Sequence, residues 1–241
     1  MQLWLATRNS PITYGVITNN NNVVVIPSAV DETRFKQAVG QLKSLGKEGI
    51  VIGWIGHASN LRYLEPLRPV IRDLALKHPG RVLLRVVCSE ALPWDDVPLE
   101  NKVWQLQEEA QDVASFDIGI MPLTDDQWSR MKCGYKVLLY MSMGVPAVAS
   151  PVGVNETIVK HGETGFHARD SAEWSSVLSQ LLEDGELRER VGHAGRRLVQ
   201  SKYSIEAVLP LWVRTLRSVG MRDGTRRLEG CMSNSKRKAN V

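Results

Sequence analysis

The sequence predicts an α/β fold, a single Rossmann-like domain in which a parallel sheet carries helices on both faces. Three observations point there. Short strands nearly continuous in apolar residues recur along the chain, amphipathic helical patterns separate them, and the strands show no polar alternation. Strands apolar on both faces belong to parallel sheets buried from both sides.

The elements follow in order. IVIGWIG (50–56) is a buried strand that ends in glycine. From Asn60 to His78, Leu61, Leu64, Leu67, Ile71 and Leu74 repeat at helical spacing, with Pro66 and Pro69 disturbing the first turns. RVLLRVVC (81–88) is the next strand, followed by VWQL (103–106) and a helix from Gln107 to about Ser115. DIGIMPL (117–123) is a further buried strand. The segment KCGYKVLLYMSMGVPAVASPVG (132–153) predicts a helix over 132–143 and a strand over 146–150. Helical patterns cover 171–184, 186–201 and 204–219. Nearer the start, VVVIPSAVDETRF (23–35) reads as a strand, a turn and a loop.

This organisation gives three regions. Residues 1–22 show no core periodicity and read as an irregular or remnant segment, 23–219 form the domain, and 220–241 form a basic tail. The tail holds six basic and two acidic side chains, which accounts for the whole net charge of +4. A neutral body gives no electrostatic footprint for nucleic acid, and membrane contact is confined to the tail, which reads as disordered. With 43% hydrophobic and 23% charged residues, the composition is that of an ordinary globular protein. No apolar run reaches the roughly 18 residues of a membrane span. Three cysteines without a CxxC spacing suit a reducing cytoplasm.

Two strand-to-helix junctions carry residues suited to an anion. In GWIGHASNLRYL, Gly56 permits close backbone approach, His57 and Ser59 offer hydrogen bonds, and Arg62 supplies a counter-charge. The competing reading is a plain helix cap with a solvated arginine. The second junction is Lys132-Cys133-Gly134-Tyr135-Lys136. Lysines at a helix start oppose the helix dipole by a few tenths of a kcal/mol each, a penalty that a bound diphosphate reverses. Read as helical, Lys132 and Lys136 are i, i+4 neighbours spaced for two phosphates. The alternative here is a solvated edge on a buried helix. Neither GxGxxG nor the GxxxxGK[ST] phosphate loop is present. The histidines lack metal spacing, no nucleophile can be paired with a base, and no metal or cofactor is expected.

The order of these motifs resembles the C-terminal, donor-binding half of family 4 retaining glycosyltransferases, enzymes of the two-Rossmann GT-B architecture. VIPSAVDETRF is similar to V-I-P-x-G-V-D-x-x-x-F, and IGWIGHASNLRYL to the strand and phosphate turn written G-R-x-x-x-x-K-G. KCGYKVLLYMSMGVPAVASPVG, NETI and HGETGF resemble the E-G-F-G-x-x-x-x-E-A-M-A-x-G-x-P-V-V-A-S, G-G-x-x-E and D-G-x-x-G motifs. The resemblance covers about residues 20 to 220. A divergent branch with a K-C-G-x-K segment is most similar. It implies a nucleoside-diphosphate sugar as donor (UDP-, GDP- or another), bound through the amides of Cys133, Gly134 and Tyr135. Lys132, Lys136 and Arg62 would neutralise the diphosphate, with His57 and Ser59 completing the cradle.

The chain departs from the pattern in three places. Met131 and Leu139 stand where the family has its paired glutamates, and His57 replaces the arginine of the phosphate turn. The third departure is the N-terminal, acceptor-binding domain that the motif order leads one to expect before this segment; the resemblance implies that domain as a partner, or self-association through helix 205–219. No catalytic nucleophile carries over. The two lost carboxylates motivate the alternative, a non-catalytic module binding a nucleotide sugar or another anionic metabolite.

Overall fold

The computed structural model describes residues 24–33 and 49–218; the expected N-terminal remnant, the basic tail and positions 23, 34, 35 and 219 lie outside them. Six parallel strands form one sheet: β1 (Ile50–Ile55), β2 (Val82–Cys88), β3 (Leu99–Val103), β4 (Ile118–Met121), β5 (Ala147–Ala149) and β6 (Phe166–His167). Their order is β3-β2-β1-β4-β5-β6. The chain winds outward from β1 in one direction, returns, and winds outward from β4 in the other. This is the doubly wound order of Rossmann folds, which places the reversal between β1 and β4.

Period-two alternation along β1 divides the core. Ile52 and Trp54 face a layer built on α1 (Arg68–Lys77) and α6 (Ser171–Glu183), with Leu67, Ile71, Trp174 and Leu178. Val51 and Ile55 face the opposite layer. That layer contains α2 (Glu109–Ala114), α4 (Tyr135–Ser142) and α7 (Gly185–Lys202), with Val113, Leu138, Tyr140 and Val199. Two short helices, α3 (Gln127–Arg130) and α5 (Asn155–Ile158), and the last helix, α8 (Ile205–Ser218), complete the described elements. No described helix is long and apolar enough to cross a membrane.

Several expectations shift. The pattern over 60–78 starts as 3-10 turns, Ala58–Tyr63 and Glu65–Leu67, and becomes α-helical only at Arg68, since prolines 66 and 69 withhold backbone donors. The edge strand is Leu99–Val103, so only the first residue of VWQL belongs to it; its polar residues Glu100, Asn101 and Lys102 are partnered by Arg85, the Leu92 backbone and Asp112. Residues 24–29 form no strand. Instead Val30 bridges to Ser204, donating to the Tyr203 carbonyl at 2.8 Å and accepting from the Ile205 amide at 3.2 Å. The expected helix 132–143 begins at Tyr135, because Gly134 takes φ +70°, a left-handed conformation that helical backbone cannot continue through. The last helix runs through Pro210 without a break, and Trp212 on it is half-buried.

Aromatic rings fill the space where β1 meets β4. A Cβ on Gly53 would sit 2.0 Å from the Phe116 ring, and one on Gly119 would sit 2.4 Å from the Tyr140 ring. The two rings meet edge to face at 6.1 Å. Backbone pairing between the strands reaches only Ile52–Ile118 and Gly53–Gly119. Beyond it, the Tyr140 hydroxyl accepts from the Ile55 amide at 3.3 Å and donates to the Ile120 carbonyl at 3.2 Å. Tyr140→Phe keeps the ring but leaves a buried amide and carbonyl unpaired. It should lower unfolding free energy by about 1–3 kcal/mol in urea titration, with the denaturant slope unchanged.

Candidate anion-binding cleft

The split beyond Gly53–Gly119 places the carboxyl ends of β1 and β4 beside the first turn of α4. In an open parallel sheet, this reversal is where ligands bind. A cleft of about 440 Å³ lies there, lined by Lys132, Cys133, Gly134, Tyr135 and Lys136 together with Met121, Trp128 and Met131. No side chain caps α4, so its N-terminus keeps the positive end of the helix dipole towards the cleft.

The two lysines reach the cleft differently from the i, i+4 expectation. Lys132 lies in the turn before α4, its amide bonded to the Ser129 carbonyl at 3.1 Å. Its ammonium donates to Asn60 Oδ1 at 2.8 Å and lies 5.0 Å from the centre of the Tyr63 ring. Lys136 belongs to α4 and crosses the end of β1, placing Nζ 5.3 Å from the centre of the Trp54 ring. Gly56 makes that crossing possible, since a Cβ there would lie 2.7 Å from both Lys136 Cε and the Trp54 ring. Burial, then the Lys132 charge, lowers Lys136 to about 8, while Cys133 and Cys88 act in the opposite sense.

The turn after β1 joins this site through Lys132. His57 is the N-cap of the 3-10 turn, its Nδ1 accepting from the Ser59 amide at 3.2 Å and lying 3.0 Å from Ser59 Oγ. Both side chains are exposed, and they satisfy each other rather than lining the cleft. Arg62 is exposed and turned onto Tyr63, donating to its hydroxyl at 3.2 Å with Cζ 5.0 Å from the ring centre. Four of the expected residues, Gly56, His57, Ser59 and Arg62, thus form the shoulder of the site, and the other five form its walls.

Sequence reading missed Trp54, Asn60, Tyr63 and Ser129. Tyr63 is 4% exposed yet touches both Arg62 and Lys132, and its hydroxyl also accepts from Ser129 Oγ at 3.1 Å. Burial raises its pKa, but the hydrogen bonds with Ser129 and Arg62 and the neighbouring positive charges outweigh burial and hold it below the ordinary range. In the sequence these residues read only as core and turn. Asp125 and Asp126 are committed elsewhere: Asp125 pairs with Arg130 at 2.6 Å, and Asp126 caps α3 through the Ser129 amide at 2.7 Å. Among the described residues no group of three His, Cys, Asp or Glu side chains is placed to hold a metal ion.

Residues 89–184 match the family described as Glycosyl transferases group 1. The chain is 24% identical over 214 residues to N-acetyl-alpha-D-glucosaminyl L-malate synthase of Bacillus anthracis, an alignment covering 82% of this chain and 54% of that protein. The chain therefore spans about half the length of this curated relative. Among solved structures it resembles the C-terminal domain of a glycosyl transferase group 1 family protein (LpcC) of Francisella tularensis. There the TM-score is 0.60 at 19% identity, over 73% of this chain and all of that one. It also resembles Anabaena HepE, solved with UDP and glucose, with a TM-score of 0.67 at 16% identity over 88% of this chain and 62% of that one. These structural likenesses establish the fold, a parallel sheet covered by helices on both faces.

The lowered Lys136 pKa has a consequence for stability. Its folded value, about 8, lies below the unfolded lysine value, so the unfolded chain binds more protons between them. Stability therefore rises with pH across that window, and the cost of the buried charge is complete below it. Lys136→Met, which keeps the stem on Trp54, should stabilise the domain by about 1 kcal/mol near pH 7. The gain should shrink as pH climbs through about 8 towards the unfolded lysine value. Urea midpoints near pH 7 and pH 10 measure it; an equal loss of stability at both would overturn the assignment.

Proposed function

We propose that this chain, which carries a glycosyl transferases group 1 domain over residues 89–184, is the donor-binding half of a retaining family 4 glycosyltransferase. It takes a nucleoside-diphosphate sugar as donor. The observation that carries this reading is the uncapped N-terminus of α4 at the β1–β4 split, with two lysines beside it whose contacts are an asparagine and aromatic rings rather than carboxylates. Amides at Cys133, Gly134 and Tyr135 face the donor phosphates. Lys132 and Lys136 neutralise the diphosphate as it leaves, and Arg62 turns from Tyr63 to join them. His57 and Ser59 fix the turn that holds Asn60 against Lys132.

Such leaving-group stabilisation is electrostatic, with the charges positioned before the glycosidic bond breaks. The acceptor is held on a second domain, across a cleft of which this chain supplies one wall. The exposed stripe Ile205, Leu209 and Val213 on α8 is the seat for that domain or for a second copy of the chain. The relative from Bacillus anthracis is a glucosaminyl malate synthase, and HepE was solved with UDP and glucose, which supports a UDP-sugar as the first donor to test.

A second reading rests on Met131 and Leu139. Met131 lines the cleft, whereas Leu139 is 2% exposed within the core, so no carboxylate reaches a ligand from either position. A non-catalytic binding module would keep donor affinity and lose transfer.

Calorimetry with UDP, GDP, UDP-sugars and uridine tests the binding reading. Diphosphates should bind at least tenfold more tightly than uridine; equal affinities would sink it. Lys136→Ala should weaken UDP binding by roughly 1.5–3 kcal/mol, the worth of one charge-assisted contact, while leaving the circular dichroism spectrum unchanged. Release of UDP from UDP-sugars on adding an acceptor-binding domain distinguishes the enzyme from the module.

A further inference from the structure

The amine of Lys136 has a chemistry that diphosphate binding does not use. Its stem is confined between the end of β1 and Trp54, it lines an open cleft, and no described carboxylate lies within ion-pair distance of Nζ. Lys102 and Lys160, by contrast, are paired: Lys102 with Asp112 and Glu108, Lys160 with Glu163. An amine held over the Trp54 ring, partly withdrawn from water and near the Lys132 ammonium, exists partly as the neutral base, and only the neutral base attacks a carbonyl carbon. Beside it stand the two features that hold an anion, the Lys132 ammonium and the uncapped first turn of α4.

We infer that Lys136 is a covalent capture site for anionic aldehydes, small carbonyl compounds carrying a phosphate or carboxylate that the α4 turn and Lys132 anchor. In the step, the Nζ lone pair adds to the carbonyl carbon and the carbonyl oxygen takes up a proton, giving a carbinolamine. The C–O bond then breaks, the hydroxyl leaves as water, and the nitrogen becomes a protonated imine. Amine and aldehyde thus give imine and water, with no oxidant or reductant consumed. The exposed Cys133 thiol adds to the same aldehydes reversibly and without loss of water, so hydride reduction fixes only the lysine adduct.

Lys136, at about 8, is roughly half neutral near pH 8, where an ordinary lysine is neutral in well under about one part in a hundred. That difference sets the expected selectivity at about ten- to a hundredfold over exposed lysines such as Lys77 and Lys202, allowing for the weaker nucleophilicity of a less basic amine.

The test uses the full chain with pyridoxal 5′-phosphate near pH 8, borohydride reduction and peptide mapping by mass spectrometry. The expected result is a single dominant adduct on Lys136. It should be lost in Lys136→Arg, slowed about tenfold in Lys132→Ala, and formed about tenfold more slowly with pyridoxal, which lacks the phosphate. Thermal melts of both variants establish that each is folded. Adducts spread over Lys77, Lys202 and other exposed lysines would overturn the proposal, as would equal rates with pyridoxal. The inference shares its anion cradle with the donor reading, and competition separates the two. Capture at Lys136 that UDP does not slow would leave this proposal standing and remove the diphosphate from the cleft.

Discussion

The hydroxyl of Tyr140 holds together the two strands on which everything else is arranged. β1 and β4 stop pairing after Gly53 and Gly119, yet their remaining residues still need backbone partners in a dry interior. Tyr140 supplies both, accepting from Ile55 and donating to Ile120 across the gap. Its ring is admitted because Gly119 has no side chain, and Phe116 sits beside it over Gly53 for the same reason. The strands therefore part around the Tyr140 hydroxyl without leaving the Ile55 amide and the Ile120 carbonyl unsatisfied. The separation opens the end of the sheet, and α4, which carries Tyr140, is fixed with its first turn at that opening.

Charge placement follows from the same geometry. Several described cations are neutralised where they stand. Lys102 is held by Asp112 and Glu108, the Asp112 hydrogen bond first, which raises its pKa. Arg130 is held by Asp125, and Arg85 by Glu100. Lys132 and Lys136 are held instead by an amide oxygen and aromatic faces, which orient an ammonium without cancelling its charge. The positive potential at the cleft survives for that reason. Its energetic cost is visible in the lowered pKa of Lys136, and an anion in the cleft would offset that cost.

The two positions where the family resemblance fails divide in the structure. Met131 is 46% exposed on the wall of the cleft, so any contact it makes with a ligand is apolar. Leu139 packs with Val137, Leu138 and Met141 in the layer beneath. A glutamate there would be buried among hydrocarbon, and the leucine removes that burden along with the carboxylate. The cleft consequently relies on its lysines and backbone for polar recognition.

The sequence alone determined the fold class, because strands that are apolar on both faces and separated by amphipathic helices have few arrangements other than a covered parallel sheet. It also marked the two junctions and nine residues of the shoulder and walls, since glycine, lysine and arginine at strand-to-helix turns stand out against an apolar background. It did not place the start of α4. Lys132 and Lys136 read as helical neighbours until the left-handed backbone of Gly134 set the first of them outside the helix. Nor did it reveal Trp54, Asn60 and Tyr63 as the groups that hold the lysines, because 72 positions separate Asn60 from Lys132 and spacing carries no trace of such a contact. The edge strand at Leu99–Val103 and the bridge of Val30 to Ser204 were hidden for a related reason: each is defined by the neighbour it pairs with, not by a local pattern. Local periodicity records which face of an element is buried. What that face is buried against, and hence which charges remain unneutralised, is decided only when the strands are brought side by side.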